Sequence, residues 1–343
     1  MTNTSIRVLQ GTINIANQMN TQAKGLERLG VPIKTANHYQ NYLNYPTKYD
    51  LNIELPREIM AAQLTIQDQI IPAFDLFHFH FATSLQRGNV DLPLLAANGK
   101  PICMQHWGSE VRMLSKALKT NPFAKVKLED EGRLQKKLEE LGQYIPFCVV
   151  ADHELIQYVQ PFYEEVHVIP SMIDLRDYKK SWFRKKRKRP LIVHAPTHVD
   201  VKGTPHILQA VEQLKLSYSF DFKLIHGMAH HEAKKWYKKA DLIIDQLHIG
   251  SYGLFAVEAM ALGKPVICYI SDYMAEHYPK DLPIISANPE TIFDTLKNLL
   301  KNQDQLTELG KKGRAYVKKE HNMDKNAARL LNLYELMMGN KKG

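Results

Sequence analysis

The sequence predicts an α/β fold in which two Rossmann-like domains face each other across a cleft. Both halves alternate short apolar, strand-like runs with segments of helical periodicity, the pattern of parallel sheets covered by helices on both faces. A length of 343 residues is long for one domain and comfortable for two. A polar, basic segment lies between the halves, as expected for a linker between domains.

The first half is predicted to contain six strands. The first strand leads into a glycine-containing turn, and the helical pattern that follows it ends at Gly30. A long lysine-rich segment separates His106 from Phe147, and two interpretations of it stay open. It forms either one or two solvated helices, or an element that meets a substrate or a membrane surface. The strand-like runs are residues 5–12, 31–39, 74–81, 100–107, 147–152 and 167–171.

The second half repeats this alternation and ends in a leucine-rich helical pattern over residues 322–338, which we expect to pack back across the interface. A further helix is predicted at 204–214. The strand-like runs are residues 190–196, 221–227, 241–247, 265–270 and 283–287. The expected organisation is a first domain, a basic linker, a second domain and a C-terminal helix directed towards the first domain, at residues 1–170, 171–189, 190–321 and 322–343.

Composition is that of a soluble globular protein, with 44% hydrophobic and 24% charged residues. No run approaches the about 18 apolar residues that span a bilayer. The N-terminus lacks the pattern of a signal peptide, so we expect a cytoplasmic protein. Cys103, Cys148 and Cys268 lie far apart in apolar runs, which predicts buried, reduced thiols and no zinc site.

The formal net charge of +9 is concentrated in one place. Residues 179–189, KKSWFRKKRKR, carry eight positive charges, so the rest of the chain is near +1 (9 − 8). This run is either a mobile, solvated linker or a contact with anionic lipid headgroups. It lacks the aromatic interleaving and the helix-turn-helix pattern of nucleic-acid-binding proteins, so no nucleic-acid partner is expected.

The most informative stretch is GSYGLFAVEAMALGKPV, from Gly250 to Val266. A glycine-containing turn directly precedes a short apolar helix. Such a turn lets backbone N–H groups approach a ligand, and a helix N-terminus attracts anions. Glu258, inside the helix, does not suit a phosphate but suits a neutral polyol such as a ribose. The stretch therefore predicts a site for a nucleotide diphosphate.

A second element lies upstream, in HAPTHVDVKGT over residues 194–204. Lys202 beside Gly203 offers an ammonium close to a turn, although a lysine there is also common as a solvated helix start. The KG-led helix, the run ADLIIDQ and the pattern GxxGLFAVEAMALGKPVI together resemble the donor-binding domain of family 4 retaining glycosyltransferases of the GT-B fold. VIPSMID, residues 168–174, is similar to the domain-junction element of that family.

The resemblance implies a metal-independent glycosyltransferase with retention of anomeric configuration. A sugar would pass from a nucleotide-diphosphate donor, typically a UDP-sugar, to a hydroxyl acceptor. The nucleotide sugar is a co-substrate, so no cofactor is expected, and no metal is expected because the sequence has no Asp-x-Asp pattern. Lysine, backbone N–H groups and a helix dipole can instead stabilise the charge of the leaving group.

Site residues follow from the same resemblance. Glu258 matches the carboxylate that binds the ribose, and Lys202 matches the lysine at the diphosphate. His106, in QHWGSEVR, matches a histidine beside the transferred sugar. Lys202 and His106 are therefore the predicted catalytic residues. Backbone amides around Tyr252, Gly253 and Leu254, together with Gly203, complete the predicted donor site.

The sequence departs from the family pattern at two points. Gly250 stands where the family often has a Glu that contacts the donor sugar, and Asp245 or Gln246 is a candidate for that role. The family also has an arginine shortly before the lysine, where this chain has Thr197 and His198, and we expect these two residues to contact the donor there. Further candidates for sugar or acceptor contacts are Gly11, Thr12, Asn14 and His80.

Several other expectations follow. His78 and His80 share one face of a strand, but no third ligand supports a metal pair. His230 and His231, at a helix start, are expected to be exposed. The acceptor is expected to be a lipid-linked or cell-surface glycan precursor, at the inner face of a membrane. Two other functions stay open: a catalytically weak nucleotide-sugar-binding protein, and a nucleotide-sugar epimerase with the GT-B fold.

Overall fold

The computed structural model describes residues 6–37, 48, 50, 51, 55–179 and 187–339. Within these residues the strands are β1 (Val8–Thr12), β2 (Ile33–Asn37), β3 (Leu76–His80), β4 (Ile102–His106), β5 (Phe147–Val150), β6 (Glu165–Val168), β7 (Leu191–His194), β8 (Asp221–Leu224), β9 (Leu242–Ile244) and β10 (Val266–Ile267). They form two sheets with the orders β2-β1-β3-β4-β5-β6 and β10-β9-β7-β8, and all the pairings are parallel. The predicted α/β fold with two Rossmann-like parts is confirmed.

Helices connect the strands and cover both faces of each sheet, as parallel pairing requires. Those of the first half are α1 (Gln18–Arg28), α2 (Ile59–Thr65), α3 (Leu92–Ala97), α4 (Leu114–Ala117), α5 (Glu131–Gly142) and α6 (Ile156–Val159). Those of the second half are α7 (Thr204–Lys215), α8 (His230–Lys239), α9 (Leu254–Ala261), α10 (Asp272–His277), α11 (Ile292–Lys301), α12 (Gln305–Glu320) and α13 (Met323–Gly339).

Helix α1 ends where the sequence predicts. Gly30 has a φ of +84°, a conformation that glycine adopts without the cost of a Cβ. Its N–H donates to the carbonyl of Glu27 at 3.0 Å, and the N–H of Val31 donates to the carbonyl of Leu26 at 3.1 Å. These bonds close the last turn of the helix and direct the chain into β2.

The last predicted strand is reduced to a single bridge. Ile285 pairs with Ile267 through two hydrogen bonds, from its N–H to the carbonyl of Val266 and from the N–H of Cys268 to its carbonyl. Pro283 has no N–H, so pairing cannot extend through it towards the N-terminus of the run.

Helix α13 packs against α1 and so connects the C-terminus to the first half. Its apolar face contributes Ala327, Leu330 and Tyr334 to a cluster that also contains residues of α1 and β3. A Cβ built on Gly25 would lie 2.6 Å from the Cβ of Ala327, so glycine permits this close approach. The domain limits stay a prediction.

Other features of the fold bear on the sequence-based expectations. Cys103, Cys148 and Cys268 are free and buried, as predicted. Over the described ranges, no helix combines the length and the apolar composition needed to cross a membrane. Most of the basic run, residues 180–186, lies outside the described residues.

Candidate functional site

Segments that follow the carboxyl ends of strands in the two sheets contact each other. The Nδ2 of Asn121, after β4, donates to the carbonyl of His248, after β9, at 2.6 Å. Phe123 meets Tyr269 edge to face, with ring centres 5.4 Å apart. In parallel sheets such edges carry the binding sites. The candidate site is therefore the region between these two edges.

In the second half, four predicted residues come together at the start of α9. The Oδ2 of Asp245 accepts the N–H of Gly253 at 2.8 Å, and its Oδ1 lies 3.3 Å from the Nζ of Lys202. Lys202 also donates to the side-chain oxygen of Gln246. Asp245 is only 1% exposed. An internal carboxylate thus occupies the positive end of the helix, where a ligand phosphate is predicted.

At two positions near the site, backbone conformation and close packing explain why the residue is glycine. Gly203 has a φ of +73°, and a Cβ there would lie 2.9 Å from the Cβ of Leu247. Gly250 has a φ of +80°, and a Cβ there would lie 2.9 Å from the Nδ2 of Asn121. The space that a Glu at position 250 would need is therefore filled from the first half of the chain.

The loop before Lys202 presents Thr197 and His198, of which Thr197 is exposed and His198 half-buried. The Nδ1 of His198 accepts the N–H of Val201 at 3.4 Å, so its ring faces its own loop. Nearby, His194 bonds the carbonyl of Ile244 and the hydroxyl of Thr204. Burial lowers the pKa of His194 to about 4, so this ring is neutral and links β7, β9 and α7.

Glu258 lies one turn into α9 and is largely buried. Its Oε1 accepts two hydrogen bonds, from the hydroxyl of Tyr178 at 2.5 Å and from the Nε2 of His230 at 2.8 Å. Neither partner was expected at the site, and the prediction that His230 is exposed is wrong, whereas His231 is exposed. The signal that the sequence offered was the histidine pair at the start of a predicted helix.

A cavity of about 700 Å³ opens beside this carboxylate. Both halves of the chain line it: Asn17 directly precedes α1, Lys24 lies within α1, Asp174 belongs to the junction, and Leu254 and Glu258 belong to α9. A volume of this size accommodates a small-molecule ligand. Of the predicted site residues, Leu254 and Glu258 lie on the cavity wall.

His106 lies elsewhere. Its side chain is fully buried, its Nε2 is 2.7 Å from the hydroxyl of Tyr163, and its Nδ1 is 3.4 Å from a carboxylate oxygen of Glu110. The ring lies on the face of β4 that packs into the core of the first half, so the structure does not bring it to the cleft surface. Its catalytic role stays a prediction.

The candidate sugar or acceptor contacts of the first half are also buried. The hydroxyl of Thr12, next to Gly11, bonds Thr83 at 2.9 Å, and the Oδ1 of Asn14 accepts the N–H of Met19 at 3.1 Å. His80 is stacked between His78 and Trp107 and accepts the indole N–H at 3.2 Å. Burial, reinforced by His78, lowers the pKa of His80 well below its ordinary value. These polar groups form hydrogen bonds within the interior of the first half.

Over the part of the chain that the structure describes, no cluster of three His, Cys, Asp or Glu residues could hold a metal ion. His78 directs its Nδ1 to the hydroxyl of Tyr334 at 2.7 Å. This histidine therefore takes part in a contact with α13.

A second contact between the halves involves Asp152, which follows β5. Its Oδ2 accepts the hydroxyl of Tyr278 at 3.0 Å. Burial, together with repulsion from Glu154, raises the pKa of Asp152 to about 7, although Arg112 opposes this shift. Arg112 itself binds both oxygens of Glu154 at 2.8 to 3.0 Å. A partly buried carboxylate with a raised pKa thus stands at the edge of the cleft.

Comparison with known proteins agrees with this architecture. The family model "Glycosyl transferases group 1" matches residues 217–316, a range that contains Asp245, Gly253 and Glu258 but not Lys202. No curated protein sequence matches the chain.

Solved structures cover nearly the whole chain at low identity. A glycosyltransferase from Rickettsia africae is 12% identical with a TM-score of 0.70, over 98% of this chain and 100% of that one. HepE from Anabaena, in complex with UDP-glucose, is 11% identical with a TM-score of 0.67, over 95% and 99%. A putative UDP-N-acetylglucosamine 2-epimerase from Listeria monocytogenes is 13% identical with a TM-score of 0.54, over 95% of each chain.

These likenesses show the GT-B fold, which the epimerase shares, so the fold alone does not separate the two chemistries. The match to the group 1 model, within the second half, supports the transferase. The predicted GT-B fold and the prediction of a glycosyltransferase are thereby confirmed.

The raised pKa of Asp152 predicts a pH-dependent stability. Between its ordinary value near 4 and about 7, the native state binds more protons than the unfolded state, so stability falls as pH rises through this window. Asp152→Asn removes this dependence. We expect the melting temperature of Asp152→Asn, relative to wild type, to be higher at pH 8 than at pH 5.

Thermal unfolding of both proteins across this pH range measures the difference. Asp68→Asn, at an exposed position of the first half, is the matched control and should show no such trend. A difference between Asp152→Asn and wild type that stays constant with pH would contradict the assignment.

Proposed function

We propose that this glycosyltransferase moves a sugar from a nucleotide-diphosphate donor, a UDP-sugar, to a hydroxyl acceptor, without a metal and with retention of configuration. The observation that supports a diphosphate is the convergence of the Lys202 ammonium and the Gly253 N–H on one carboxylate, that of Asp245. This is the geometry of an oxyanion site: a cation and a helix N-terminus directed at negative oxygens.

Beside Asp245, this site has further N–H donors that a donor diphosphate could accept. Lys202 has three N–H donors, and two are directed at Asp245 and Gln246. The first-turn N–H groups of α9 lack partners within the helix. We propose that the diphosphate lies against these groups, with the ribose on Glu258 in the adjoining cavity. As the bond to the sugar breaks, the same donors stabilise the charge on the leaving nucleotide.

The sugar itself would meet different groups from those of the family pattern. Because Asn121 fills the space beside Gly250, we propose that the carboxylate of Asp245 or the amide of Gln246 contacts a sugar hydroxyl. Both are nearly fully buried and their polar atoms already have partners within the protein, so a sugar hydroxyl would join an existing hydrogen-bond network.

Retention and independence from metal are supported by the resemblance of the Gly250–Val266 stretch and by the absence of an Asp-x-Asp pattern from the sequence. The predicted site residues of the first half are buried, so they contact a sugar or an acceptor only if the first half rearranges on binding. These residues are His106, Gly11, Thr12, Asn14 and His80.

The direct test is incubation of the purified protein with a panel of nucleotide sugars and hydroxyl acceptors, including lipid-linked glycan precursors. We expect release of UDP that depends on the acceptor, with an unchanged anomeric configuration in the product. Binding without turnover under every acceptor would instead identify a nucleotide-sugar-binding protein. Interconversion of free nucleotide sugars would identify an epimerase.

Lys202→Ala is expected to weaken UDP binding about tenfold or more, because it removes a charge-assisted hydrogen bond to phosphate. Isothermal titration calorimetry measures the change. Lys312→Ala, at an exposed position of α12, is the matched control. The double variant with Asp245→Asn removes the carboxylate that Lys202→Ala leaves buried, and so separates lost stability from lost binding. Unchanged affinity in Lys202→Ala contradicts the proposed role.

We also propose that the protein is cytoplasmic and contacts the inner face of a membrane through the basic run at 179–189, where a lipid-linked acceptor would be found. Each basic residue near an anionic surface contributes about 1 kcal/mol. Sedimentation with vesicles should show binding to anionic but not to neutral lipid, lost when residues 184–189 are made neutral. Equal sedimentation of that variant contradicts the proposal.

A further inference from the structure

Glu258 is held by two side chains that lie far from it in sequence. Tyr178 belongs to the junction between the halves, and His230 is the first residue of α8. Both donate to the same oxygen, Oε1, at 2.5 and 2.8 Å. A carboxylate only accepts hydrogen bonds, so the Nε2 of His230 carries a proton in this contact.

The two hydrogen bonds make the two oxygens of the carboxylate different. Each carboxylate oxygen has about two acceptor sites, and the two donors use those of Oε1. Among the contacts of the described residues, none is directed at Oε2, and the side chain stands on the wall of the cavity. Oε2 is thus the oxygen that remains to accept a hydroxyl from a ligand.

Tyr178, one of the two residues that hold Glu258, is itself held in place. The Nη1 of Arg314 donates to the carbonyl of Tyr178 at 2.8 Å, and the Nζ of Lys234 lies 3.5 Å from the centre of the Tyr178 ring. Lys234 is close enough to Glu258 for their charges to interact. A long, flexible carboxylate loses rotamer freedom when it binds, and fixing it beforehand removes that cost from ligand binding.

We propose that Tyr178 and His230 are positioning residues that fix the Glu258 carboxylate. Its Oε2 then accepts hydrogen bonds from the vicinal diol of a nucleoside ribose in the cavity. This inference rests on the proposed function, in which Glu258 binds the ribose. It adds that ribose recognition depends on the junction and on α8, and not on α9 alone. Tyr178 and His230 also line the cavity, but the role proposed for them is exerted through their hydrogen bonds to Glu258.

The test compares the affinities of UDP and 2′,3′-dideoxy-UDP by calorimetry, because their ratio isolates recognition of the diol. We expect wild type to prefer UDP by about tenfold or more, as for hydrogen bonds to a charged group. Tyr178→Phe and His230→Ala should each bring the ratio to within about threefold of unity, mainly by weakening UDP. His230→Gln, which keeps an N–H donor at the position of Nε2, should restore the preference.

Tyr218→Phe, at a partly buried tyrosine that packs against the hydrophobic core of the second half, is the control and should keep the wild-type ratio. A preference retained by both Tyr178→Phe and His230→Ala would overturn this inference while leaving the role of Glu258 intact. Wild-type protein that does not bind UDP, or binds both nucleotides equally, would overturn the proposed ribose contact and this inference together. If His230→Gln loses the preference for UDP as fully as His230→Ala does, then His230 contributes through packing and not through its N–H donor. That result would contradict the inference.

Discussion

The interaction on which the candidate site depends is the one between the Asp245 carboxylate, the Lys202 ammonium and the N–H of Gly253. It joins the end of β9, the loop before α7 and the start of α9 at one point. A buried carboxylate is costly unless it is paired, so these three segments hold one another in position. The same pairing concentrates a cation and a helix N-terminus at the edge of the sheet, which is where an anionic ligand is most stabilised.

The second half does not complete the site alone. Helix α13 packs against α1, and the junction residue Ile173 exchanges hydrogen bonds with His321 and Met323, where α12 leads into α13. Asn121 extends from the first half into the space next to Gly250. Gly250 and Asn121 are therefore parts of one feature: the glycine makes room for a contact between the halves.

Glu258 illustrates how much a local pattern leaves undetermined. Its place in a short helix after a glycine turn was sufficient to predict a polar role near a nucleotide. The pattern contained no information about Tyr178, 80 residues away, or about the ring of His230, which a helix-start position alone suggests is exposed. Their convergence on one oxygen turns a single acidic residue into a fixed group at a cavity wall.

The sequence by itself determined the two parallel sheets, the ends of helices such as α1, and the turn-helix pattern of the site, because periodicity, glycine and helix-capping preferences act over a few neighbouring residues. Tertiary structure decided which way His106 faces, since β4 is buried on both sides and its apolar run does not distinguish them. It also decided the partners of Lys202 and Glu258. Contacts between residues distant in the chain depend on how whole elements pack, and no local pattern records that.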